Sequence, residues 1–445
     1  MLRKTLALTV LAALMLSLLA GCGGTKNAPA EKKDTAAPAA PKEPVKLRIW
    51  GGVPEDRGPL ELVENWNKAN PDIQVEYVRF VNDDAGNTKL ETALLAGSDV
   101  DLYMTYSIAN MSKRVEAGMA LALDDLIKQN KMDVAGLGQY PAWFDKSYML
   151  PTKIEPSVIW INKKAFDDAK IPVPTDWTWD EFADIAKKLT KEGNPKKYGA
   201  YLHYTNDWMQ LVNTVKGPNA NYNAKGESNF DDPAFKQALQ WRINLEKAGA
   251  IPSAVEVKSG KLTWEGMFMT GRAAMMPQAA FFLRYVTDTK TYPRDFMVTF
   301  APIPKLTKDQ KEVFDSGAGY GDFISINPKT KHKDAAFKFL NWYVTEGMMP
   351  LAKFGRIPLH KNMVSDNLVK MLAGEDAAKV MDVEAFKKYV LGQRRYATPT
   401  KYTAAAEIDK IMQEETEKVS AGSQTVDQAI ANLKRRSDQA IKDAK

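Results

Sequence analysis

Two short segments, Val45 to Ile49 (VKLRI) and Ile73 to Tyr77 (IQVEY), alternate between apolar and polar positions. Alternation with period two predicts strands with one buried face. Between them Leu62, Val63 and Trp66 recur at helical spacing, with Pro59 in the first turn and Asn70-Pro71 at the end, so a helix is expected. A second helix is predicted around Lys89 to Ala96, ending at Gly97, ahead of a short strand from Asp99 to Tyr103. Strand, helix, strand, helix, strand at this spacing implies a parallel sheet with covering helices.

The pattern restarts after the apolar run Val158 to Ile161. Thr178 with Glu181 has the spacing of a capping box, Trp177 and Phe182 that of a hydrophobic staple, and Phe182, Ile185, Ala186 and Leu189 share a helical face. Tyr198 to Tyr204 alternates as a strand. Asp232-Pro233 starts a helix with Phe235, Ala238, Trp241 and Leu245 on one face, closed by Gly249. This is a second α/β unit. Ile324 and Ile326 then lie in a strand leading to a helix near Asp334, and the remainder is helical, with a further capping box at Thr425 and Gln428.

Ahead of all this, Arg3 and Lys4 precede an apolar run from Leu6 to Ala20, the profile of a signal peptide. Its 15 residues fall short of the roughly 20 that a membrane-spanning helix needs, and no later run is comparable, which excludes a polytopic membrane protein. Leu19-Ala20-Gly21-Cys22 resembles the bacterial lipobox, whose cysteine takes a diacylglycerol and becomes the first mature residue; it is the single cysteine of the chain. Residues 23 to 44 hold no aromatic residue and no Leu, Ile, Val or Met, so they cannot fold by burying surface. Extended, such a tether reaches up to roughly 70 Å.

Composition narrows the chemistry. The formal charge is +6 from 61 Lys plus Arg against 55 Asp plus Glu, without a long basic block, so no nucleic-acid partner is expected. One cysteine rules out an intramolecular disulfide, and the three histidines (His203, His332, His360) stand apart, so no metal, no cofactor and no histidine role is expected. The glycine-rich Gly317 to Asp322 precedes a strand, whereas a dinucleotide loop follows one. Common phosphate-loop, serine-hydrolase and zinc-protease signatures are absent. Aromatic residues make up 10% of the chain, and several neighbour carboxylates, amides or arginines, as in residues 50 to 57, 201 to 208 and 281 to 285. Sugars present apolar C–H faces and hydroxyls together, so a sugar cleft needs both residue types.

The ordered set of segments resembles the family 1 extracellular solute-binding proteins, the lipid-anchored sugar receptors of bacterial ABC importers. It is carried by Glu61-Leu62-Val63 through Asn70-Pro71-Asp72-Ile73, Thr92 to Ser98 with Asp101-Leu102, Ile161 to Phe166, and Ile171-Pro172-Val173-Pro174 before Trp177-Thr178-Trp179. Phe268 to Met275 and Gly422 to Asp427 complete it. The resemblance implies an α/β class II periplasmic-binding-protein fold, two lobes with a hinge and a ligand cleft between them. The expected organisation is a signal peptide at 1–21, a tether at 22–44 anchored through Cys22, lobe one at 45–159 and 306–346, and lobe two at 160–305 and 347–445.

It further implies ligand-binding positions: Glu55, Asp56 and Arg57 after the first strand, Tyr106 after the third, Glu155 before the crossing, Trp208 and Phe281 from lobe two, and Tyr320 in the glycine-rich stretch. Phe281 stands where the maltose-binding branch has tryptophan. The implied function is an extracytoplasmic, monomeric, non-catalytic receptor that closes on a mono- or oligosaccharide and delivers it to the membrane subunits of an ABC importer. Two alternatives stay open: a surface-anchored carbohydrate-active enzyme using Asp56 or Glu155, and a sugar sensor for a membrane kinase.

Overall fold

A computed structural model describes residues 43–444 except 98, 139–141, 143, 204–206, 218, 316–318, 393–394, 397–400 and 402. The signal peptide, Cys22 and nearly all of the tether lie outside the described residues. Strands β1 (Val45–Gly51), β2 (Ile73–Arg79) and β3 (Leu102–Thr105) pair in parallel, with Val45 opposite Ile73 and Ile49 opposite Leu102. The helix Pro59–Ala69 between β1 and β2 buries Leu62, Val63 and Trp66, and the Trp66 indole donates to the Ile73 carbonyl at 2.8 Å, fixing helix to strand. The next helix runs from Asp84, earlier than the apolar pattern indicates, because the Asp83 carboxylate caps it through the Gly86 N–H.

β4 (Leu150–Glu155) belongs to this first sheet, whereas β5 (Ser157–Asn162) opens a second sheet completed by β6 (Tyr198–Ala200), β7 (Ala273–Ala279) and β8 (Val298–Ala301). The chain then passes β9 (Phe314–Asp315) and returns through β10 (Gly319–Ile326) and β11 (Ile357–Pro358), which join β4, before β12 (Arg395–Tyr396) pairs with β9. The orders are β11-β4-β10-β3-β1-β2 and β6-β7-β5-β8. Each sheet has its own apolar core, Leu47, Ile49, Trp66 and Phe337 in one, Phe182, Trp208, Phe235 and Leu239 beside the other. Pro44–Lys445 is one compact unit containing these two lobes.

The crossings differ from the sequence expectation. Ser157 already pairs with Ala279, so the first passage falls at Pro156 and not at 159; Ile357 pairs with Ile154, which keeps the chain in the first sheet well beyond 346. An unbroken apolar run such as Val158–Ile161 does not reveal which sheet it joins. The capping boxes at Thr178 and Thr425 are both formed, and the Trp177 and Phe182 rings pack 5.6 Å apart.

Candidate ligand-binding site

The parallel strands β1, β2 and β3 end at Gly51, Arg79 and Thr105, and the carboxyl ends of such strands are where α/β sheets present their ligand loops. Two glycines here give way to two tyrosines. A Cβ on Gly51 would lie 2.6 Å from the Tyr77 hydroxyl oxygen, and one on Gly52 would lie 2.9 Å from the Tyr106 ring. The Gly52 N–H donates to the Tyr106 hydroxyl at 2.6 Å, and the Tyr77 hydroxyl donates to the Val53 carbonyl at 2.7 Å. Burial pushes the Tyr106 phenol well above its ordinary value, and the negative charge of Asp322 adds to the shift.

Asp322 interrupts β10 in the left-handed region, φ 49°, an uncommon conformation for a residue with a side chain. The Thr152 hydroxyl donates to its carbonyl at 2.6 Å. Its carboxylate accepts from Arg356 Nε at 2.9 Å and lies 3.8 Å from Lys153 Nζ, which in turn donates to Glu155 at 3.0 Å. Burial opposes the charge on both Arg356 and Lys153, but Asp322, joined by Glu155 at the lysine, outweighs it and holds both above their ordinary values. Lobe one thus offers a paired, partly exposed set of donors and acceptors.

Lobe two offers rings. β6 and β7 run parallel, and the segments after them carry His203 and Phe281. The His203 ring lies 4.3 Å from Trp264, Trp264 lies 5.8 Å from Phe281, and the Arg284 guanidinium covers Phe281 at 5.3 Å and Tyr285 at 4.8 Å. All four rings are half-buried. Burial lowers the His203 pKa, so the imidazole is neutral at neutral pH. The two walls meet at the crossing: Gly319 pairs with Glu155, Ser157 with Ala279, and the Ala280 N–H donates to the Pro156 carbonyl at 2.9 Å.

Of the expected positions, Tyr106, Glu155 and Phe281 lie around this junction, and Glu55, Asp56 and Arg57 form an exposed turn at the rim, with the Arg57 guanidinium 5.5 Å from the Phe354 ring. Two positions are corrected. Trp208 is fully buried, its indole donating to the Thr416 hydroxyl at 3.0 Å, so its ring has no face to offer a ligand. Tyr320 is packed in the apolar cluster around the crossing. Sequence reasoning missed Lys153, Asp322, Arg356, Trp264 and His203. Of these, His203 stood inside the aromatic and polar segment 201 to 208 and Asp322 closed the glycine-rich stretch, while Lys153, Trp264 and Arg356 were not singled out. A cavity of 620 Å³ at the opposite end of β1 and β2 is lined by charges that pair with one another, Arg48 with Glu76 at 2.8 Å and with Asp99 at 2.6 Å. Among the described residues there is no cluster of three or more groups suited to a metal, and no helix long and apolar enough to cross a membrane.

Comparison with known proteins agrees with this architecture. An uncharacterized lipoprotein encoded 5′ of oleD in Streptomyces antibioticus is 26% identical over 76% of this chain and 72% of its own length. The maltotriose-binding protein of Pyrococcus abyssi is 24% identical over 69% of this chain and 65% of its own length, so the chain spans less than two thirds of that relative. In structure, a sugar transporter from Rhizobium etli in an open conformation superposes with a TM-score of 0.74 at 23% identity, covering 89% of this chain and 99% of that one. The fold is therefore the two-lobed one of periplasmic solute-binding proteins. Residues 51–350 match the family described as bacterial extracellular solute-binding protein, and the chain belongs to that family of extracytoplasmic solute receptors.

Proposed function

We propose that the solute is a saccharide, bound between the two lobes, and that the protein is held on the outer face of the cytoplasmic membrane through a lipid on Cys22 and passes its ligand to an ABC importer. The observation that carries the reading is the pairing of unlike walls at one junction. Lys153, Glu155, Asp322 and Arg356 can exchange hydrogen bonds with hydroxyls, while Trp264 and Phe281 offer faces to C–H groups. A relative named for maltotriose and another, from Pseudomonas aeruginosa, named for mannitol support the substrate class. The lipoprotein name of the Streptomyces relative supports the anchor.

The test is thermal unfolding of Pro44–Lys445 against a panel of mono- and oligosaccharides. A ligand present at 100 times its dissociation constant adds about 2.7 kcal/mol to the native state and raises the unfolding midpoint. A selective shift, with the sugar recovered chemically unchanged, is the expected result; no shift with any saccharide defeats the substrate class, and conversion of the sugar defeats the receptor reading. For the anchor, Cys22→Ala expressed in a bacterial host should move the protein from the membrane fraction to the soluble extracytoplasmic one.

A further inference from the structure

A cavity of 480 Å³ opens on lobe two beside the aromatic row. His203 belongs to both, since its ring lies 4.3 Å from Trp264 and forms part of the cavity wall. Across from it the helix Ala405–Ser420 supplies Gln413 and Glu417, four residues apart and hence on one face. The helix Ala254–Ser259 and the turn after it supply Val257, Lys258 and Leu262. Lys258 Nζ donates to Glu417 at 2.7 Å, so these two charges neutralise each other and leave lone pairs and protons for further hydrogen bonds. Ala254, Val257 and Leu262 give the wall apolar patches, and Lys261 and Thr263 add an ammonium and a hydroxyl.

The same helical face continues toward Asp409, four residues before Gln413. Asp409 is exposed, and its charge reaches the Tyr222 phenol, whose hydroxyl donates to the Thr403 carbonyl at 2.9 Å. Asp409, Gln413 and Glu417 therefore form a polar row about 12 Å long by helix rise. A volume of this size lies within the range of small-molecule sites, about 300–1,000 Å³. Apolar patches flanked by an ion pair, an amide, a hydroxyl and the Lys261 ammonium offer C–H contacts, donors and acceptors to a polyhydroxylated unit.

We infer that this cavity is a distal subsite: a ligand of several sugar units continues from the aromatic row past His203, and a remote unit occupies the cavity against Gln413 and the Lys258–Glu417 pair. The inference rests on the saccharide reading above. It makes the receptor selective for chains over single sugars.

The test is isothermal titration of Pro44–Lys445 with α-1,4-glucans, β-1,4-glucans and β-1,4-xylans of one to six units, repeated on Gln413→Trp and Gln413→Ala. Gln413 is exposed, so the indole fills the cavity without entering the core, and the unfolding midpoint of each variant checks that it is folded. In one series the affinity should rise by about tenfold or more with length, equivalent to about 1.4 kcal/mol. Gln413→Trp should abolish that gain while the shortest binding member keeps its affinity, and Gln413→Ala should remove part of it. Affinity independent of length, or a length gain that survives Gln413→Trp, overturns the distal subsite while leaving the saccharide reading intact. No binding by any member of any series overturns the saccharide reading and the subsite together.

Discussion

Trp208 and Phe281 are both aromatic residues on lobe two, and their surroundings differ. Trp208 has no exposed surface and packs with Phe235, ring centroids 6.5 Å apart, while Phe281 is half-exposed beside Trp264 and Arg284. Trp208→Ala is expected to cost about 3–5 kcal/mol of stability in denaturant unfolding, with the sugar affinity of the folded fraction unchanged. Phe281→Ala should leave stability nearly intact and weaken sugar binding by about tenfold, the loss of one ring contact. The reverse pattern would return Trp208 to the site. The structural duty of Trp208 is not legible in the sequence, because its deciding partner is Thr416, 208 residues away. The same holds for Asp322, whose carboxylate meets Arg356 across 34 residues, whereas Glu155 and Phe281 could be proposed from the segments around them.

At the scale of elements, the last two helices, Ala405–Ser420 and Val426–Asp443, are joined through Glu414, which pairs with Arg436 at 2.7 Å, and above all through Glu415. Glu415 accepts from Lys418 at 2.6 Å, Arg436 at 2.7 Å, Gln424 at 2.8 Å and Asn432 at 3.1 Å. Burial alone would raise its pKa, but these donors outweigh burial and pull it down to about 2 from an ordinary 4.5. A carboxylate depressed in the folded state stabilises fully above its unfolded pKa and loses that contribution as pH falls toward the folded one. The contribution, on the order of 3 kcal/mol, is complete above about pH 4.5 and fades between there and pH 2. Glu415→Gln should lower stability at neutral pH and flatten the acid limb of stability against pH; an unchanged acid limb would mean that the carboxylate is not held. The helix after Thr425 was legible because a capping box is local, whereas the clasp was not, since Glu415 and Arg436 lie on different helices.

For the whole molecule each lobe has an apolar cluster on its own sheet, a third cluster spans the crossing with Ile154 and Phe323 from one sheet and Trp160 and Phe300 from the other, and the direct strand-to-strand passage between the sheets is at Pro156, where the Ser157 N–H donates to the Asp315 carboxylate at 3.1 and 3.2 Å. A rotation at such a crossing brings the polar wall toward the rings while the clusters around Leu47 and Phe182 move with their own sheets, as in the hinge closure around ligands of periplasmic binding proteins generally. The residues 44–445 contain no cysteine, so two introduced cysteines report on the motion without background labelling. Asp84, in the segment following β2, and Lys290, in the loop following β7, are both exposed and belong to different lobes. Spin labels at Asp84→Cys and Lys290→Cys should show a distance distribution that moves to shorter separation when saturating sugar is added, and returns when it is dialysed away. A ligand binds two conformations unequally only through contacts that differ between them, and on the proposed reading the difference is whether a sugar at Arg356 and Glu155 also reaches Phe281. An unchanged distribution at saturation would mean that both walls already contact the ligand in the open arrangement, and closure would then have no ligand-dependent driving force.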